Sequence, residues 1–170
     1  MIVLRGGDFI DAEGKTQGMG MALRGLAKGK TMTFGGVDVP RAYAYLPDMA
    51  RSAVALAEVR SRLPRYADIP FAGLTFTMQE LADSFQQQTG RVFRITKFPW
   101  WLMGLAAPFW ELAREMREMR YLYELPHRLD GATMHLVLPE FQTTGLAEVT
   151  AAQLQWAGLT RKINPERVMA

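Results

Sequence analysis

The chain has 170 residues, 49% of them hydrophobic and 22% charged, proportions that suit one globular domain and exclude disordered and fibrous classes. Its net charge is only +3 and its lysines and arginines are scattered, so no basic stripe interleaved with aromatics points to nucleic acid. Cysteine is absent, which removes disulfide scaffolds, thiolate metal sites and thiol nucleophiles and favours a reducing, cytoplasmic setting.

The opening run MIVLRGGDFID reads as a buried strand that ends in a loop, and so as the start of a chain in the middle of a domain. Arg5 and Asp8 interrupt the apolar start before a secretory core can form. The longest apolar stretch, Phe98 to Trp110, falls short of the ~20 residues needed to cross a bilayer and is broken by Pro99 and Pro108. A soluble protein without a membrane span is expected.

After a polar loop at 12–16, the spacing of Met19, Ala22, Leu23 and Leu26 predicts a helix over 17–28 with Gly29 as its C-cap. Glycines 18, 20 and 25 weaken that helix. Strands follow at 31–34 and 41–46, separated by a Gly35-Gly36 turn. A helix starts at Pro47 with Asp48 in its first turn, and Ala50, Ala53, Val54 and Ala57 form its expected buried stripe. The run 69–73 reads as a strand buried on both faces, as in a parallel sheet. Thr77 with Glu80 makes a capping box that opens a helix over 78–89, whose apolar face is Met78, Leu81, Ala82 and Phe85 and whose stop is Gly90.

A strand over 92–98 precedes two helices, 99–107 and 109–123. The second sets Phe109, Leu112, Ala113, Met116 and Tyr123 on one side and pairs Arg114 with Glu111 and Glu118 on the other. Helices at 130–138 and 146–156 and a frayed tail complete the chain. Strands and helices alternate in the first half and helices dominate the second, which argues for an α/β arrangement with helical additions.

Chemistry-bearing residues are sparse. His127 and His135 are too few for a metal site and stand in no HExxH spacing, so no metal is expected. Ser52, Ser61 and Ser84 occupy no G-x-S-x-G elbow. The glutamates at 111, 115 and 118 interleave with arginines and read as a solvated helix face. Asp8, at the end of a strand, must find partners; it reads equally as a structural acceptor or as a cofactor-edge residue. The aromatic stretch Phe98, Trp100, Trp101, Phe109 and Trp110 reads as core, with a pocket wall or a membrane or partner contact as the functional alternative.

Four segments, LRGGDFID, AYAYLPDMARSAVALAE, TMQELADSFQQQTGR and FPWWLMGLAAPFWELAREMREMRYLYELPHRLD, together resemble, in order, the C-terminal half of an NAD-dependent epimerase/dehydratase. This is the extended or atypical branch of the short-chain dehydrogenase/reductase family. The resemblance implies the C-terminal part of a Rossmann-like parallel sheet over 1–70, a mostly helical substrate-binding region over 71–157 and a tail over 158–170, incomplete relative to the family. It implies that Gly6, Gly7, Asp8, Phe9 and Ile10 line the nicotinamide edge of the cofactor. It places Arg41 and Tyr45 near the substrate cleft, with Trp100 and Trp101 as further substrate contacts.

NAD or NADP is the implied cofactor and a small molecule the implied substrate. Two family features are missing. Gly18-Met19-Gly20 has the wrong spacing for the glycine-rich turn and follows a loop, not a strand. No lysine has a tyrosine four residues before it, as the family's proton-transfer pair requires. No catalytic residue and no tight dinucleotide binding by this chain alone are therefore expected. The rival reading is a non-enzymatic protein that self-assembles through an exposed sheet edge.

Overall fold

A computed structural model describes residues 1–159; the tail expected over 158–170 lies outside them apart from Gly158 and Leu159. The strands are β1 (Ile2–Arg5), β2 (Asp8–Ile10), β3 (Lys30–Thr33), β4 (Arg41–Tyr45), β5 (Ala67–Pro70), β6 (Leu74–Phe76) and β7 (Arg94–Lys97). The helices are α1 (Gln17–Leu23), α2 (Leu46–Glu58), α3 (Met78–Thr89), α4 (Trp100–Ala106), α5 (Glu111–Glu118), α6 (Tyr121–Glu124), α7 (Ala132–Val137) and α8 (Leu146–Trp156). The chain is thus α/β, and β1 with β5, β2 with β4 and β3 with β7 all pair in parallel. The strands divide among three small sheets, β1-β5, β2-β4-β6 and β3-β7, and β6 runs antiparallel to β4.

The opening stretch departs from its reading as one buried strand and a loop. It forms two strands in two sheets, and the first is only half-buried. Gly6 and Gly7 make the change of sheet. A Cβ on Gly7 would overlap the Ala42 carbonyl, so only glycine lets the chain pass this close to β4.

β4 divides the core. Because side chains alternate across a strand, Tyr43 packs with Ile10, Phe76, Leu81, Phe85, Val149 and Leu154, while Ala44 packs with Leu56, Ile69, Phe71 and Met134. α8 closes the first of these clusters over the start of the chain, and the buried Gln153 amide donates to the Asp11 carbonyl at 3.0 Å.

α3 follows its sequence signals. Thr77 accepts from the Glu80 N–H at 3.1 Å, the Glu80 carboxylate accepts from the Thr77 N–H at 2.7 Å, and the four expected face residues are buried. α2 does not. Ala50, Ala53, Val54 and Ala57 face solvent, and the helix instead buries Asp48, Ser52 and Leu56. The helix is held in that phase by Asp48, whose carboxylate accepts from the Thr144 N–H at 2.6 Å, the Thr144 hydroxyl at 2.7 Å and Arg51 at 2.6 Å. An interior acid with three donors outweighs a stripe of small apolar side chains.

Three further readings are corrected. The strand expected over 69–73 is β5 at Ala67–Pro70, and it is not buried on both faces, since Asp68 is exposed and pairs with Arg5 across the sheet at 2.7 Å. The helix expected over 109–123 is two, α5 and α6, separated at Met119-Arg120. On its expected inner side only Ala113 is fully buried, while Phe109 and Leu112 are exposed. Beyond the break, Tyr123 packs on Phe34 and Trp100.

Candidate functional site

The parallel register of β2 and β4 sets Asp8 opposite Tyr43 and Ile10 opposite Tyr45. It also brings Asp8, half exposed, to an ion pair with Arg41, which is buried at the start of β4. The Arg41 guanidinium lies between two aromatic rings, 5.3 Å from the Tyr43 centroid and 4.7 Å from that of Tyr123. Its Nε has no partner among the described residues. That N–H is sealed from solvent, so Asp8 and the two aromatic rings hold the guanidinium in place. Burial pushes the Tyr43 phenol up, opposed by Arg41 and reinforced by Tyr123, so it remains a neutral hydroxyl at physiological pH.

Tyr123 belongs to an aromatic cluster. Phe34 meets Tyr123 at 5.2 Å and Phe98 at 4.9 Å, and Trp100 meets Phe98 at 4.9 Å and donates its indole N–H to the Phe34 carbonyl at 2.6 Å. Gly35 allows this packing, because a Cβ there would overlap the Tyr123 carbonyl. Phe34 and Tyr123 also wall a cleft of about 780 Å³. Its near side is the segment Gly14 to Ala27, and its far side is Leu112, Met116 and Met119 with Trp156 at one end. That volume and its apolar, methionine-rich wall suit a small organic ligand. Lys15 and Arg24 are its cationic members. Lys15 is paired with Glu13, which raises the lysine pKa by hydrogen bonding and charge.

The residues expected from sequence fall in three places. Asp8, Arg41 and, through Tyr123, Trp100 are joined to one another, and of this group Tyr123 lines the cleft. Tyr45 stands at the start of α2, half-buried, its phenol pushed up by burial and then by Asp48, Asp11 and Glu148. Trp101 points to solvent, away from the cleft lining. Of the expected cofactor edge, Ile10 is fully buried in the core, Gly7 is packed on Ala42, and Phe9 is exposed. This edge offers a flat apolar contact at Phe9. Asp8 holds the Arg41 guanidinium and Asp68 holds Arg5 in ion pairs, so neither cation is left free here for a pyrophosphate. Among the described residues no three His, Asp or Glu side chains converge on a metal-sized gap.

Sequence reasoning did not select the cleft walls. Gly14, Gly18 and Gly20 carried a signal, since small residues thin one side of a pocket; Met116 and Tyr123 read as ordinary helix core.

No family model and no curated protein sequence matches the chain. Solved structures match its fold. A GalE-like L-threonine dehydrogenase from Cupriavidus necator superposes with a TM-score of 0.65 at 18% identity, covering 89% of this chain and 51% of that one. L-threonine dehydrogenase from Phytophthora infestans gives 0.65 at 15% identity, over 91% and 47% of the two chains. UDP-glucuronic acid 4-epimerase from Bacillus cereus, in complex with UDP-glucuronic acid and NAD, gives 0.63 at 12% identity, over 92% and 45%. The chain spans about half the length of these structures. Its fold is that of about half of these dehydrogenase and epimerase structures.

Proposed function

We propose that this chain is the substrate-side portion of an NAD(P)-dependent epimerase/dehydratase-like oxidoreductase acting on a small molecule in the cytoplasm. The cleft between α1 and α5, backed by the Arg41–Asp8 pair, carries the reading. It has the size of a ligand site, and a buried cation lies behind its Tyr123 wall. NAD or NADP supplies hydride chemistry in proteins of this fold. Here Phe9 would touch only its nicotinamide edge, and the phosphate-gripping turn and the Tyr-Lys pair are not in this sequence.

The chain by itself is therefore expected neither to hold the dinucleotide nor to transfer hydride. Isothermal titration with NAD(H) and NADP(H) checks this: the expected result is no heat of binding at micromolar concentrations, and a micromolar Kd would refute the assignment.

A second reading, a non-catalytic protein that self-assembles, is favoured by one observation. Among the described residues the β1-β5 and β3-β7 sheets are two-stranded and leave backbone edges unpaired. On this reading light scattering gives a dimer or larger species; a monomer at all concentrations removes it.

A further inference from the structure

The cleft between α1 and α5 is lined by side chains of mostly one kind. Leu112 and Met116, one turn apart on α5, and Met119 at its end form the far wall. Leu112 and Met119 are 51% and 44% exposed, so this wall keeps apolar surface open to the recess. On the near side Leu23 and Leu26 are buried in the core.

Polar side chains are few. No Asp, Glu, Asn, Ser or His lines the cleft among the described residues. Its hydroxyls are those of Thr16 and Tyr123, and the Thr16 oxygen is sealed from solvent. A sugar ring or a free amino acid carries several polar groups, each of which needs a new hydrogen-bond partner on leaving water. These walls offer little to meet that need, and they suit a ligand whose body is hydrocarbon. Aromatic faces and methionine side chains accommodate flat rings and flexible chains alike.

Charge sets the other end of the ligand. The stretch 14–37, which includes the near wall, holds Lys15, Arg24, Lys28 and Lys30 and no acid. Of these, Lys15 and Arg24 line the cleft. Lys15 is held by Glu13, whereas the exposed Arg24 has no ion pair among the described residues. One unpaired cation on an apolar recess matches one negative charge, and a guanidinium fork matches the two oxygens of a carboxylate.

We propose that the cleft takes an amphipathic carboxylate, a hydrocarbon chain or ring system lying between α1 and the Met116 wall with its acid group on Arg24. The inference rests on the reading of this cleft as the substrate site and narrows the class of that substrate. It separates the chain from the L-threonine dehydrogenases and the UDP-glucuronic acid 4-epimerase whose fold it shares, since an amino acid or a sugar nucleotide would find few partners on these walls.

Isothermal titration of the 170-residue chain with octanoate, octanol, L-threonine and UDP-glucuronic acid decides it. Octanoate is expected to bind, octanol to bind about fivefold more weakly, and the other two to give no heat of binding. Arg24→Ala is expected to bring octanoate down to the affinity of octanol and to leave octanol unchanged. Met116→Glu, which sets a charge in the apolar wall, is expected to weaken both at least about tenfold. Melting temperatures verify that the variants fold, and Arg24, being exposed, tests the charge whatever Met116→Glu does to stability. Failure of octanoate to bind overturns the proposal, as does equal binding of octanoate and octanol by the parent chain, octanoate binding that neither variant weakens, or tighter binding of UDP-glucuronic acid or L-threonine. Each of these results leaves the oxidoreductase reading in place. Micromolar binding of a dinucleotide refutes that reading and leaves the ligand class standing.

Discussion

Phe85→Ala is expected to remove about 3–5 kcal/mol of stability, a large share of the roughly 5–15 kcal/mol available to a domain. Phe85 is fully buried on the inner face of α3 and packs on Phe93 at 5.3 Å between centroids. It shares its cluster with residues from α1, β2, β4, β6 and α8. Truncating it opens a void that backbone from several elements must collapse to fill, and close-packed interiors do so only in part. Urea unfolding is the measurement, with a lowered midpoint and an unchanged slope. Phe109→Ala is the internal control: the same atoms are deleted at a 93% exposed position, and the change should lie within about 0.5 kcal/mol. Equal losses at the two sites would mean that α3 is not the keystone of this core.

Asp48→Ala is expected to be nearly as severe, about 3 kcal/mol, or a fall in Tm of roughly 6–12 °C for a chain of this size. Asp48 is 1% exposed, and its oxygens receive both the backbone N–H and the hydroxyl of Thr144, 96 residues away, as well as Arg51. Arg51 in turn donates to the Gln142 carbonyl at 3.2 Å and lies over the Phe141 ring at 5.3 Å. The acid therefore ties α2 to the segment leading into α8. Its removal strands donors and frees that segment together. Asp48→Asn keeps the shape and an acceptor and should lose less, about 1–2 kcal/mol. Hydrogen exchange at the Thr144 amide separates the mechanisms, since it should accelerate in both variants before global unfolding does.

Local signals were legible where one element contained its own explanation. The Thr77–Glu80 box, the inner face of α3 and the bounds of α8 all follow from residues a turn or two apart. The phase of α2 was not legible, because hydropathy ranks Asp48 and Ser52 as outside residues and nothing near them announces Thr144. The assignment of Ile2–Arg5 and Asp8–Ile10 to different sheets depends on Ala67–Pro70 and Arg41–Tyr45, partners that alternation within a strand does not name. For the site, Asp8 and Arg41 could each be singled out from sequence, but their pairing needed the register of β2 against β4. Met116 and Tyr123 looked like helix interior, yet both line the cleft against α1.

The bond between Gln153 and Asp11 has a consequence for synthesis. Ile10 and Leu154 share one cluster, so β2 has no complete core until α8 has been translated. At about 5–20 residues per second, the 144 residues between them take roughly 7–30 s. Over that interval β2 and β4 wait on the nascent chain without the cover of α8, and holdase chaperones that bind such segments are the natural custodians of this cluster until α8 arrives.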